Sequence, residues 1–193
     1  MATITTSPLV KTYTLEEFWE LPEPSDHEKL ELIAGVLYMT PPPDWEHNYV
    51  AAKLTRLVTA FLIEAKDPGM LLIPRAAIWT GPATYVEPDL MYFSDDLLGR
   101  IDTDHPDTAD IVIEVLSPGT EVYVKNTKAD TYGAMKVREL WLVDPKTRSV
   151  EVLAWKGEQT PERRKYESGQ KLLSPILRGF SPAIDEIWPP LPI

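Results

Sequence analysis

Between residues 46 and 66 the apolar side chains Val50, Leu54, Leu57, Val58, Phe61 and Leu62 recur at spacings of three and four, with Tyr49, Ala52, Lys53, Arg56, Thr59 and Ala60 filling the positions between. This period is that of one face of an α-helix, and a face so wide needs a second layer to cover it. Asp67, Pro68 and Gly69 stop the helix. Three apolar runs follow, at 70–79, 84–93 and 109–116, separated by Gly81-Pro82 and by the acidic stretch SDDLLGRIDTDHPD. They read as strands, the last nearly continuous and therefore central. A helix laid on a sheet follows from this order alone.

The flanks extend the pattern. Thr14 and Glu17 have the spacing of a capping box, so a short helix is expected over 14–21, up to Pro22. The run KLELIAGVLYMT from Lys29 to Thr40 reads as a tight hairpin about Ala34-Gly35, ended by Pro41 to Pro43. After the third strand, Ser117-Pro118-Gly119-Thr120 turns the chain, and Thr120 is placed to cap a helix running through Met135. RELWLVD at 138–144 is a further buried strand, followed by a turn at Pro145-Lys146 into SVEVLAW. The order helix, three strands, helix, strand describes an α/β core with a mixed central sheet, an extra hairpin in front and shorter strands behind. The 193 residues suit a single domain, with the core at about 28–155 and an extension over 156–193.

No run approaches the roughly 18 apolar residues of a membrane-spanning helix, and MATITTSPLVK lacks the order of a signal peptide. A cytoplasmic protein without membrane partners is expected. Zero cysteines exclude disulfides, thiolate zinc sites and cysteine nucleophiles, so any metal must be held by oxygen or imidazole. The net charge of −11 opposes nonspecific attraction to nucleic acid. The charge is uneven, however. Residues 121–171 hold eleven basic against eight acidic side chains, and the rest of the chain eight against twenty-two. Either a basic face or ordinary solvated hairpins would give this balance.

Two acids stand in apolar strands: Asp89 in VEPDLMYF and, 25 residues later, Glu114 in IVIEVL. An ionised carboxylate in such a place is costly unless it is paired or binds a cation. On neighbouring strands the two could share one divalent ion, and an all-oxygen site suits Mg²⁺ or Mn²⁺ with waters left over. Ser117 has no nucleophile elbow around it, and His27 and His105 fall among acids in loops without an evident role. No glycine-rich phosphate loop or dinucleotide fingerprint is present.

Pro88-Asp89 followed by a hydrophobic strand bearing Glu114 resembles the PD-(D/E)XK nuclease superfamily, whose core has this order of elements. More specifically, ELIAGVLYM at 31–39, His47 opening a helix, EPDL at 87–90, EVLSPGT at 114–120, Lys128 and Tyr132, and ELWLVDP at 139–145 resemble the Uma family of endonucleases. The similarity spans about residues 14–188. It implies a restriction-endonuclease-like fold in which Asp89 and Glu114 hold a divalent metal that binds the scissile phosphate and activates a water. It further implies DNA as substrate, no organic cofactor, and a homodimer.

The superfamily places a lysine two residues beyond the glutamate, and here that position is Leu116. The substitute that the Uma pattern suggests is Lys128 in the following helix, with Lys125 one turn before it. Val124 stands where relatives carry an acid. Glu31 is open to three roles: a third acid of the site, a partner for the helix lysine, or an exposed position of an amphipathic strand. His47 is open to two, an additional ligand or general base and a packing or capping residue. The catalytic set expected from the sequence is thus Asp89, Glu114, Lys128, Glu31 and His47. Two other functions fit the same residues: an inactive interaction module, which Leu116 and the acidic balance favour, and a metal hydrolase of a small phosphoester.

Overall fold

The computed structural model describes residues 11–24, 28–117, 123–157 and 160–190. Helix α1 covers Leu15–Trp19, and its Thr14–Glu17 capping box is formed in both directions. Strands β1 (Lys29–Ile33) and β2 (Val36–Thr40) make the hairpin, with Ala34 and Gly35 both at positive φ, the geometry that two-residue hairpin loops favour. Helix α2 covers Trp45–Ala65, capped by Asp44 and ended by Lys66 in the left-handed region. Strands β3 (Met70–Leu72), β4 (Ile78–Thr80), β5 (Thr84–Val86) and β6 (Leu90–Phe93) come next, then the one-turn helix α3 (Asp95–Leu98) and β7 (Ile111–Val115). Helix α4 opens with a π-helical turn, Val124–Lys128, and continues as an α-helix over Ala129–Ala134. Strands β8 (Glu139–Asp144), β9 (Ser149–Ala154) and β10 (Glu162–Tyr166) complete the list, ahead of a 3₁₀ turn at Ile184–Glu186.

Two runs that read as single strands are each divided between two sheets. Residues 70–79 supply β3 and β4, and residues 84–93 supply β5 and β6. Six strands form the large sheet in the order β10-β9-β8-β7-β6-β3, and four form the small one in the order β2-β1-β5-β4. The breaks fall at Pro74 and Pro88, where the chain has no N–H to give a ladder. The hairpin is therefore part of a second sheet rather than an appendage of the first. Within the large sheet β7 and β8 are parallel and the other pairs antiparallel. The acidic stretch after β6 also holds more order than a loop, since Ser94 caps α3 there. Pro118, Gly119 and Thr120, with the expected cap, lie outside the described residues, as does His27.

Alternation along the central strands assigns each face of the large sheet. Leu90, Tyr92, Ile111, Ile113 and Val115 pack with Val50, Leu54, Val58 and Leu62 of α2, and the C-terminal residues Phe180, Ile184 and Trp188 share that cluster. Met91, Phe93, Val112, Leu116, Leu140 and Leu142 pack on the other face with Val124, Ala129 and Tyr132 of α4 and with Ile33, Ile78 and Val86 of the small sheet. Helices α2 and α4 thus enclose the sheet from either side. Among the described residues no helix is long and apolar enough to cross a membrane.

The turn from α2 into β3 depends on Gly69. A Cβ there would stand 2.7 Å from the Phe93 carbonyl oxygen and 2.5 Å from the Tyr92 hydroxyl, which is itself held by Asp67. Gly69→Ala is expected to lower stability by about 1–3 kcal/mol through overpacking against backbone, read as a fall in the thermal midpoint.

Two buried acids outside the central cavity are satisfied by the fold itself. Asp110, ahead of β7, accepts from the N–H and hydroxyl of Ser94 and from Arg138. Glu139, opening β8, accepts from Trp141 Nε1, Ser174 and the N–H of Ile176, which ties the C-terminal segment to the sheet.

Candidate active site

Glu114 shares its side of β7 with Val112 and Leu116, the face covered by α4, so its carboxylate is aimed at that helix. Lys128 Nζ meets Glu114 Oε1 at 2.5 Å, and the Tyr132 hydroxyl donates to the same oxygen. Asp89 directly precedes β6. The Leu90–Ile113 pair sets Asp89 one step beyond, beside Glu114, and Asp89 Oδ2 accepts the N–H of Val115 at 2.8 Å. His47 lies in the first turn of α2, where Asp44 accepts its N–H, and its Nε2 stands 3.1 Å from Asp89 Oδ2. A carboxylate can only accept, so the proton of this contact belongs to Nε2. The other ring nitrogen, Nδ1, is buried without a partner.

Glu31, central in β1, reaches the same place from the small sheet. Its carboxylate accepts from Lys128 at 3.0 Å, from the N–H of Glu87 at 2.8 Å and from the Tyr123 hydroxyl at 3.3 Å, and Lys29 stands 3.7 Å away. All five residues expected from the sequence therefore line one cavity of about 210 Å³ whose wall includes Pro41, Pro42, Pro43 and Arg75. Glu31 is 0% exposed and Lys128 1%. Of the roles open to Glu31, the exposed one is excluded, and partnership with Lys128 is what the contacts describe. Lysine is almost never this deeply buried unless paired, and here one ammonium bridges two carboxylates.

Leu116 is buried in the α4 cluster and brings no charge to the cavity. Lys128 delivers its ammonium to Glu114 from the helix instead. Val124 and Lys128, four apart in the π-helical turn, are both buried. Lys125 is elsewhere, 3.4 Å from Asp144. Three more cations of the basic segment, Lys136, Arg138 and Lys156, line a groove with Arg178 at the start of β8, the opposite end of the sheet from Glu114.

Burial raises each carboxyl of the group, and neighbouring charges and hydrogen bonds set the net direction. It would raise the Glu31 carboxyl, but Lys128, then Lys29 and the Glu87 N–H, more than offset it and hold Glu31 below its ordinary range. Glu114 goes the other way: burial raises it, Lys128 lowers it, and the nearby charge of Asp89 raises it again, with a net upward shift. Asp89 is lowered, since burial is outweighed by the His47 hydrogen bond and charge. Lys128 is held well above its usual value by Glu114 and Glu31 in spite of burial.

Four residues of the site have no role assigned from the sequence, although Tyr132 and Glu87 fall within the motifs that resemble the Uma family. Tyr132 is one helical turn beyond Lys128, a spacing that puts both on one face and could have flagged it. Lys29 and Glu87 flank known candidates at two residues, Glu31 and Asp89 respectively. Tyr123 offers no such signal, because its contact with Glu31 bridges 92 residues.

A divalent cation fits this donor set. Four carboxylates, Glu31, Glu87, Asp89 and Glu114, line the cavity with three cationic side chains, Lys29, Arg75 and Lys128, an oxygen-rich donor set in a place of low dielectric. Among the described residues, no three His, Asp or Glu side chains are spaced to enclose an ion by themselves. Mg²⁺ keeps several waters and takes one or two protein carboxylates, and Asp89 and Glu114 are two that line this cavity.

Residues 15–186 match the profile of Uma2, described as putative restriction endonuclease. The chain belongs to the Uma2 family. The fold agrees. This Uma2 chain is similar to a putative nuclease belonging to DUF820 from Anabaena variabilis, known from its crystal structure, with a TM-score of 0.69 and 19% identity over 91% of this chain and 97% of that one. At this identity the likeness bears on architecture, which is the mixed α/β, restriction-endonuclease-like fold expected from the order of elements. No curated protein matches the Uma2 chain.

Proposed function

We propose that this protein is a nuclease of the divalent-metal-dependent, PD-(D/E)XK type, cleaving phosphodiester bonds in DNA. The observation that carries the reading is the ammonium of Lys128 at 2.5 Å from Glu114, which restores an acid, acid and lysine set that Leu116 leaves incomplete in the sequence. Asp89 and Glu114 would hold Mg²⁺ or Mn²⁺, whose chemistry is to polarise the phosphoryl oxygens and lower the pKa of a bound water. Lys128 supplies a fixed positive charge where negative charge develops on the phosphoryl group. Glu31 keeps that ammonium charged and in place. His47, oriented by Asp89 through Nε2, lines the cavity with Nδ1 unpaired, and in this reading it takes a proton from the attacking water. The same reading has the protein act in the cytoplasm as a homodimer, one site for each strand.

Incubation of supercoiled plasmid with the protein and Mn²⁺ tests this. Nicked and linear products are expected from wild type and none from Glu114→Gln; equal cleavage by both would overturn the assignment. Cavity size favours a second reading, hydrolysis of a small phosphoester, since about 210 Å³ is less than most ligand pockets offer. Turnover of bis(p-nitrophenyl) phosphate with no cleavage of DNA would select it.

A further inference from the structure

We infer that Glu87 is the third carboxylate available to a cation in this cavity, the place that Glu31 does not fill. The inference rests on the metal-dependent reading above. Glu31 is saturated: two ammonium groups, one backbone N–H and one phenol surround it. Its charge is spent on Lys128, and coordination would strip that lysine of a partner in a fully buried position.

Glu87 is in the opposite condition. It is 8% exposed and lines the cavity, with Oε1 accepting from the Tyr85 hydroxyl at 2.9 Å. Its Oε2 is buried and has no partner. Lys29 donates to the Glu87 backbone carbonyl at 2.8 Å instead of to the carboxylate. A buried charged oxygen without a donor is strongly disfavoured, and exceptions in native proteins mark places where an ion or water completes the group. Glu87 and His47, which carry the orphaned Oε2 and Nδ1, are both lining residues of this one cavity.

The local chain explains the placement. Residues 87 and 89 stand on either side of Pro88, where the strand leaves the small sheet for the large one, and both reach the cavity wall. A carboxylate at each step of this break can act on the same hydrated cation. Glu87 would engage the cation through a coordinated water, a mode Mg²⁺ and Mn²⁺ commonly keep.

Calorimetric titration of Mn²⁺ into wild type, Glu87→Gln and Asp89→Asn, without nucleic acid, tests the assignment. Glu87→Gln preserves shape and the acceptor for Tyr85, and it is expected to weaken Mn²⁺ binding about 10- to 100-fold while its thermal midpoint in EDTA stays that of wild type. Wild-type affinity in Glu87→Gln, with binding lost in Asp89→Asn, would overturn the role of Glu87 alone and leave Oε2 a contact for water. Absence of Mn²⁺ binding in the wild type would remove the metal-dependent reading and this inference with it. If Glu87→Gln melts early, Glu87→Asp replaces it: the shortened carboxylate is expected to weaken binding, and unchanged affinity overturns the inference.

Discussion

Lys128→Met is expected to reduce the free energy of unfolding by about 3–5 kcal/mol near pH 8, because removing one member of a buried ion pair leaves uncompensated charge behind. Here two carboxylates lose their shared ammonium at once. Glu31 and Glu114 then keep only neutral donors and the more distant Lys29, and burial pushes both carboxyls upward. A group whose folded pKa is raised gives stability that is present below its unfolded pKa, near 4.5, and is lost as pH rises through the folded value. Wild-type Glu31 behaves oppositely: its folded pKa is lowered, so its contribution is present above about 4.5 and disappears on acidification. The difference between variant and wild type is therefore largest at neutral to alkaline pH and narrows toward pH 4. Urea melts at pH 8, 6 and 4.5 would show this convergence, and a difference constant with pH would mean that Lys128 acts through packing alone.

Asp89→Asn is expected to reduce DNA cleavage by more than the 10- to 100-fold typical of outer-shell changes at metal sites, while leaving the fold intact. The amide keeps an acceptor for the Val115 N–H and a polar neighbour for His47, so the cost in stability is about 1–3 kcal/mol, that of weakening hydrogen bonds to a charged group. Activity and stability thus separate in this variant, whereas both fall in Lys128→Met. Cleavage assays beside thermal melts distinguish the two. Retained cleavage in Asp89→Asn would remove Asp89 from the reaction.

How far the sequence could be read depended on the range of the interaction. Local signals held: the capping box at Thr14 and Glu17, the hairpin at Ala34-Gly35, and the helix from residue 46, which the structure places at Trp45–Ala65. The division of two apolar runs between sheets was hidden, because apolarity marks burial without saying which sheet a segment joins. Pro74 and Pro88 were the available hints. For the site, an acid in an apolar strand was a useful criterion but not a selective one. Asp110 and Glu139 satisfy it as well as Asp89 and Glu114 do, yet the first two are closed by donors from Ser94, Arg138, Trp141, Ser174 and Ile176. Asp89 and Glu114 stand out as acids within strands expected to neighbour one another, and the resemblance to a nuclease family supports that choice. The burial of Lys128 was beyond sequence reasoning, since it depends on Glu31 arriving from another sheet.

That arrival governs when the protein can act. Glu31 and Lys128 are 97 residues apart in the chain, and contacts so remote form only after the entropy of closing the intervening loop has been met. The large sheet and its helices can assemble from nearer pairings, but Lys128 gains its second carboxylate only once the small sheet has docked on it. On the nuclease reading proposed above, a partly folded or newly made chain would then be inert toward nucleic acid.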